Sequence, residues 1–241
     1  MPGPLKTEGI VLRSLRYGEA DRILHLYTPN RGRVGAIAKG VRRSRSRFGG
    51  RLEPFFRLQL VLYEGRSDLL TVTSAETVAA YPRLREDAAA LDGAARACEA
   101  VARVFDDGEP HAGVYHLLAN QLALLDRDPA RAGRAIALAF RLKLLLAAGF
   151  APQLAACASC GEREHVVGFS GAAGGVVCAA CEAGAFALDR EAHDFLVAAL
   201  GLPLAEAPDA SSRALAQAER AILETLEYHA HVRLRQVGAH R

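Results

Sequence analysis

Apolar and polar residues alternate along the first 80 positions, and then the period changes. Within residues 8–16, Ile10, Leu12 and Ser14 fall on one face and Val11, Arg13 and Leu15 on the other, the two-residue period of a strand. Tyr17-Gly18-Glu19-Ala20-Asp21 reads as a turn into a second strand over 22–28, where Ile23 and Leu24 are apolar. Pro29-Asn30-Arg31-Gly32 turns into a third strand over 33–39. Residues 40–52 have no apolar period and are expected to form a loop. Residues 54–63 and 69–77 read as the fourth and fifth strands around a polar turn. Five short strands with one long loop fit a small barrel, with the OB-fold as the leading candidate.

From Asp87 the period is helical. Leu91, Ala94/Ala95, Cys98, Val101/Ala102 and Phe105 follow i, i+3/i+4, i+7 spacing, and Asp106-Asp107-Gly108-Glu109-Pro110 ends the pattern. A second helix is expected over 111–126, carrying Val114, Leu117/Leu118, Leu122 and Leu125. Asp128 as N-cap and Pro129 at the first helical position open a third, which runs to about Gly149. Two further helices are expected over 189–200 and 211–236. Alanine usage agrees: 6 alanines lie in residues 1–80 and 41 in residues 81–241, and alanine favours helices over strands. The pattern predicts an α+β multidomain chain. Its parts are an OB-fold domain over 1–80, a helical domain in two parts over 81–152 and 187–241, and a cysteine-bearing insert over 153–186.

The chain has 241 residues, ample for a buried core, and its 51% hydrophobic and 24% charged content is that of an ordinary globular protein. The richest apolar run, 135–150, is broken by Arg141 and Lys143, so no transmembrane helix is expected. The N-terminus lacks the apolar core of a signal peptide, which leads to an expected cytoplasmic location.

The net charge of +3 conceals an asymmetry. Residues 1–80 carry 14 Lys and Arg against 7 Asp and Glu, and residues 81–241 carry 16 against 20. The basic excess is concentrated in Arg31, Arg33, Lys39, Arg42, Arg43, Arg45, Arg47 and Arg51, a run with no acid among them. These eight cations can neutralise phosphates and release counterions, and Phe48 within the run is available to stack on a base. A solvated charge run or a grip on an acidic protein is the alternative reading. On an OB barrel, whose loops and strand face commonly hold oligonucleotides, nucleic acid is preferred.

Cys157-Ala158-Ser159-Cys160 and Cys178-Ala179-Ala180-Cys181 form a C-x2-C-x17-C-x2-C pattern. Each C-x-x-C turn converges two thiolates on one ion, and two such turns complete a tetrahedron. One structural Zn2+ held by Cys157, Cys160, Cys178 and Cys181 is expected, with another thiophilic metal left open. Two disulfides or free thiols are the alternatives. Residues 165–170 and 175–177 can form a hairpin between the knuckles. Cys98, on a helical apolar stripe, reads as a buried small hydrophobe. Glu19 and Asp21 read as turn and ion-pairing residues beside Arg16 and Arg22. His165 reads as a surface residue, and His229 and His231 cannot chelate together. No phosphate-binding loop, nucleophile elbow or metalloprotease motif occurs, and no catalytic set or small-molecule substrate is expected.

Together these residues resemble the bacterial RecO recombination-mediator family. The likeness is carried by Gly9-Ile10-Val11-Leu12, Tyr17-Gly18-Glu19-Ala20-Asp21, Ala38-Lys39-Gly40-Val41-Arg42-Arg43 with Ser46, and Leu52-Glu53-Pro54-Phe55. It continues in Phe140-Arg141-Leu142 through Leu145, Gly149-Phe150-Ala151-Pro152, the first cysteine pair, Phe169-Ser170, and Gly174-Gly175 before the second pair. The resemblance implies an N-terminal OB-fold, a helical domain, a zinc-binding insert and a non-enzymatic, nucleoid-associated role in DNA repair. It further implies binding to single- and double-stranded DNA, strand annealing, contact with the single-stranded DNA-binding protein SSB, and joint action with RecR in loading RecA. The alternatives that keep the same residues are an OB-fold zinc-ribbon module acting on RNA or in transcription, and a metal-dependent nuclease.

Overall fold

The computed structural model describes residues 3–43, 46, 48–65 and 68–237. The chain divides into two compact units, Met1–Ala130 and Arg131–Arg241.

The first unit is built on a closed barrel of five strands: β1 (Leu5–Tyr17), β2 (Asp21–Thr28), β3 (Gly32–Ala38), β4 (Arg57–Tyr63) and β5 (Leu70–Ala79). Their order around the barrel is β1-β2-β3-β5-β4, and β1 closes it by pairing with β4. All pairings are antiparallel except β3 with β5, where Ala36 pairs with Leu70 and Ile37 with Thr71. This is the five-stranded Greek-key barrel of the OB-fold.

Alternation fills the barrel. Val11, Leu24, Leu26, Leu58, Leu60, Leu62 and Val72 pack inside it with the small residues Ala36, Ala38 and Ala75. Ile10, Val11 and Leu12 are all buried. One face of β1 meets the interior while the other is covered, and an irregularity in the pairing with β2 between Val11 and Arg13 shifts the register. The expected polar loop after β3 is not wholly a surface feature. Phe48 and Leu52 turn inward, each 1% exposed, and complete the barrel core.

Three helices follow in the same unit: α1 (Pro82–Glu86), α2 (Ala88–Val104) and α3 (Ala112–Arg127). Asp87 caps α2 by accepting the Ala90 N–H at 2.8 Å. The buried stripe of α2 includes Ala94, Cys98 and Val101 and leads on to the buried Phe105, as the spacing predicts, with Ala90 and Ala97 beside them; Leu91 alone departs from it and is exposed. Cys98 is buried, which pushes its thiol up to about 12.

Helices α2 and α3 are pinned to the barrel by polar contacts. Glu8 on β1 accepts from the Tyr115 hydroxyl at 2.7 Å and from Arg57 at 2.7 Å. Tyr115 first, and Arg57 with it, hold the Glu8 carboxyl below its ordinary range against the opposing effect of burial. At Gly32 the backbone has φ +59°, and a Cβ there would lie 1.9 Å from the Glu109 carbonyl oxygen. Only glycine lets the β2–β3 turn meet the segment joining α2 to α3.

The second unit holds α4 (Arg134–Ala147), a three-stranded sheet, α5 (Arg190–Gly201) and α6 (Ser212–His229). The sheet runs in the order β7 (Gly175–Cys178), β6 (Val166–Ser170), β8 (Phe186–Ala187). Pro129–Arg131 forms a single 3-10 turn, and α4 starts only at Arg134 with Gly133 as its N-cap, so Asp128 does not cap it. Helix α6 ends at His229, short of residue 236, and the chain continues without regular structure, with His231 left-handed at φ +54°. Among the described residues no helix is long and apolar enough to cross a membrane.

Candidate nucleic-acid interface and metal centre

The basic run does not act as one block. Strand β3 separates Arg33 from Lys39 by six residue steps, roughly 20 Å at about 3.3 Å per residue. Arg31 and Arg33 belong to the far end, and both are engaged within the chain. Arg31 pairs with Glu64 at 2.5 Å. Arg33 pairs with Asp107 at 2.5 Å and donates to the Ala102 carbonyl.

At the other end of the barrel the chain builds a cationic rim. The Gly40 N–H donates to Asp21 Oδ1 at 2.8 Å, and the Arg42 N–H donates to the Ala20 carbonyl at 3.0 Å. The Arg42 guanidinium also donates to the Glu19 carbonyl at 3.2 Å. These bonds stitch the start of the β3–β4 loop to the β1–β2 turn, so Asp21 serves the turn as its residue type suggests. Lys39, Arg42 and Arg43 are exposed there. The register of the hairpin adds two arginines, because Arg16 and Arg22 pair across β1 and β2. Arg22 donates to Ser14 at 2.9 Å and pairs with Glu53 at 3.0 Å.

The structure therefore gathers Lys39, Arg42 and Arg43 with Arg16 and Arg22, which the linear run missed. The signal for the latter pair was the hairpin itself, since strands joined by a short turn bring residues on either side of it face to face. Arg45 and Arg47 lie outside the described residues. Arg51 is exposed and borders a groove of about 510 Å3 along β5. Phe48 corrects the sequence reading: its ring is part of the barrel core and is not presented to a base.

The four cysteines converge. Their sulfurs all lie within 4.8 Å of one another, and Cys160 Sγ is 3.6 Å from Cys178 Sγ. In a tetrahedron of sulfurs about 2.3 Å from a central ion, the sulfur–sulfur edge is about 3.8 Å, so the set fits a metal ion. All four are free thiols rather than disulfides.

Local backbone chemistry builds each knuckle. Gly161 at φ +82° closes the first by donating to the Cys157 carbonyl at 2.9 Å. The second opens at the end of β7, where Ala179–Cys181 makes a 3-10 turn. The two are tied together because Ala158 N–H donates to the Val176 carbonyl at 2.8 Å and Val176 N–H to the Gln153 carbonyl at 2.9 Å. Gly175 permits this approach, since a Cβ there would lie 2.3 Å from the Gln153 carbonyl oxygen.

The sulfurs are electrostatically unequal. The backbone N–H of Cys178, joined by those of Cys160 and Ser159, lowers the Cys157 thiol to about 6. Hydrogen bonds shared with Cys160 and Cys178 push Cys181 up to about 12. The Cys157 thiolate is thus favoured near neutral pH, whereas Cys181 keeps a proton that a metal ion would displace. His165 is exposed and stands apart from the ligand set. His229 faces the Gly171 carbonyl at 2.8 Å.

Sequence models of known families cover nearly all of this architecture. Residues 1–81 match the model described as Recombination protein O N terminal, and residues 85–237 match Recombination protein O C terminal. The chain belongs to the RecO family of DNA repair proteins. It is 40% identical over 240 residues to DNA repair protein RecO of Rubrobacter xylanophilus, covering 97% of this chain and 93% of that protein. It is 39% identical to the protein of the same name from Anaeromyxobacter sp. strain K, over 93% of this chain and 91% of the relative. The protein of that name from Bifidobacterium adolescentis is 44% identical over 181 residues, 72% of each chain. The family match and the closed barrel agree with the resemblance carried by the sequence motifs.

Proposed function

We propose that this chain is a non-catalytic recombination mediator that grips single- and double-stranded DNA at the cationic barrel rim and anneals complementary strands. With RecR it helps load RecA on SSB-coated DNA, at the nucleoid. The observation that carries this reading is the backbone stitch between residues 40–42 and 19–21, which presents Lys39, Arg42 and Arg43 beside Arg16 and Arg22 on a fixed surface.

Such a rim suits phosphates rather than base edges, so binding is sequence-tolerant. Two strands held against one cationic surface have their mutual repulsion screened, which favours pairing between them. Arg51, and with it Arg45 and Arg47 from the same basic run of the sequence, add to the grip. The second unit supplies contacts to RecR and SSB. Zn2+ is the ion proposed for Cys157, Cys160, Cys178 and Cys181, because a closed four-sulfur set leaves no open position for catalysis and serves structure.

The test is a salt titration of DNA binding followed by fluorescence anisotropy. Reversing charge at Lys39→Glu, Arg42→Glu and Arg43→Glu together should weaken binding to single strands. It should also flatten the slope of log affinity against log salt by roughly 2, at about 0.7 for each phosphate that is no longer neutralised. A triple variant with the wild-type slope would remove the rim from the DNA path.

A further inference from the structure

The rim accounts for phosphates and leaves the bases of a single strand without a partner. Phe48 is spent on the barrel core. A different aromatic stands where a base could reach it. Tyr17 is the last residue of β1, its Cα paired with Asp21 across the hairpin, and it is 54% exposed.

A lone exposed tyrosine is ordinary, so its setting has to carry the argument. The first observation is rigidity. Tyr17 and Gly18, the latter at φ +53°, begin the turn whose residues 19, 20 and 21 are all bonded to the 40–42 segment. The ring therefore projects from a tip whose backbone is already ordered, which lowers the entropic cost of using it.

The second observation is the face it shares. Leu24 and Leu26 point into the barrel, so Ser14, which pairs with Leu24, belongs to the inner side. Arg13, Leu15 and Tyr17 alternate onto the outer side, opposite His25 and Ile23. Strand β3 continues that surface, with Ile37 beside Ile23. Leu15, Ile23 and Ile37 form a half-buried apolar row next to the tyrosine. In OB barrels the strand face and the β1–β2 loop are common seats for oligonucleotides.

The third observation is charge. Arg13, Arg16, Lys39, Arg42 and Arg43 are exposed on this hairpin and the loop bonded to it; Arg13 shares the side of Tyr17, and Arg16 with its partner Arg22 belongs to the side of Ser14, at the same tip. The acids nearby are Glu19, which is exposed, Asp21, which accepts from the Gly40 N–H, and Glu53, which pairs with Arg22. Six cations against three acids leave an excess suited to a polyanion.

We infer that Tyr17 is the base-stacking residue of this protein: an unpaired nucleobase of single-stranded DNA lies on its ring, beside the Leu15–Ile23–Ile37 row, while the surrounding cations hold the flanking phosphates. The inference rests on the DNA-binding reading above and goes further, because it assigns strand selectivity to one side chain. Bases in a duplex are stacked on one another and offer no free face, so the phosphate grip serves both kinds of DNA and Tyr17 serves only single strands.

The experiment compares the metal-loaded full-length chain with Tyr17→Ala, Tyr17→Phe and Tyr17→Trp. Anisotropy is read against a labelled oligothymidylate and a labelled hairpin duplex over a salt series. Tyr17→Ala should bind the single strand about five- to a hundredfold more weakly, bind the duplex within about twofold of wild type, and keep the wild-type salt slope. Tyr17→Phe and Tyr17→Trp, which retain a ring, should hold the single strand as tightly as wild type. The inference falls if Tyr17→Ala binds the single strand like wild type, if it loses both kinds of DNA equally, or if Tyr17→Phe fails as Tyr17→Ala does. Wild-type protein that binds neither DNA would instead overturn the DNA-binding reading itself.

Discussion

At position 48 two uses compete for one aromatic ring, base stacking and barrel filling, and volume decides between them. The barrel wall includes Ala36, Ala38 and Ala75, which are too small to close the interior, and Phe48 with Leu52 fills the space they leave. The ring is held in place by local turns, since Phe48 N–H donates to Ser46 Oγ and Arg51 N–H to the Phe48 carbonyl, each at 3.2 Å. Truncating it should leave a cavity, and Phe48→Ala should cost about 3–5 kcal/mol in denaturant unfolding. A variant of wild-type stability with weakened single-strand binding would restore the ring to the DNA. The sequence could not make this distinction. A single aromatic in a run of Arg, Ser and Gly has no period of its own, and its burial depends on the size of residues on strands distant in the chain. Cys98 was legible by contrast, because its neighbours on α2 repeat at helical spacing and place it on the buried face.

Among the elements, strands were legible nearly to their ends because period two and the Gly- and Pro-bearing turns are local signals. Helices α2, α3 and α5 were legible to within a residue at each end, whereas the start of α4 and the end of α6 were not. Pro129 starts a 3-10 turn rather than α4, and α6 stops at His229, where Val232 N–H returns to the Leu226 carbonyl, His231 turns left-handed at φ +54°, and the segment beyond is held by side chains of α4 and α6. Arg141, 4% exposed, donates to the Arg235 carbonyl at 2.7 Å, and Glu219, 3% exposed, accepts from the Val237 N–H at 2.5 Å. Glu219 also accepts from Arg134 at 2.6 Å and pairs with Arg141 at 3.5 Å. Helices α4 and α6 thus hold the C-terminal segment by its backbone, through the buried Arg141 and through Glu219, which both arginines share. Neutralising Glu219 removes the carboxylate that Arg134 and Arg141 share in a buried setting. Glu219→Gln should cost about 3–5 kcal/mol, read from urea unfolding of the full chain. A cost below about 0.5 kcal/mol would mean that Arg134 and solvent compensate the missing carboxylate, and that the pair does not anchor the segment.

For the molecule as a whole, the basic excess and the four-cysteine site belong to different units. Within the first unit the basic excess of the barrel is opposed by residues 81–130, which carry 5 Lys and Arg against 9 Asp and Glu. Acids such as Asp107 engage the arginines at one end of β3, so the cations that remain outward gather at the other end. The four cysteines that could hold a metal ion all belong to the second unit. There the cysteine-bearing sheet has a small core of its own, in which Cys157, Val177 and Cys178 pack with Ala173, Cys181 and Ala185. Beyond this cluster the segment buries Leu154, Phe169, Val176 and Phe186, and a metal held by the four sulfurs would add to that stability. The spacing of the cysteines made this legible at once, since each pair is closed by its own turn and needs no distant contact. The rim was only half legible, since two of its five cations come from a hairpin register that a linear charge run does not reveal. Separation of the two functions has a measurable consequence. Removing metal with a chelator should release one ion per chain and abolish the cooperative unfolding of the segment around residues 153–187. The salt slope of single-strand binding should stay unchanged, because every rim cation lies on the barrel. Loss of DNA binding in step with metal content would show that the sulfur site helps to hold the DNA.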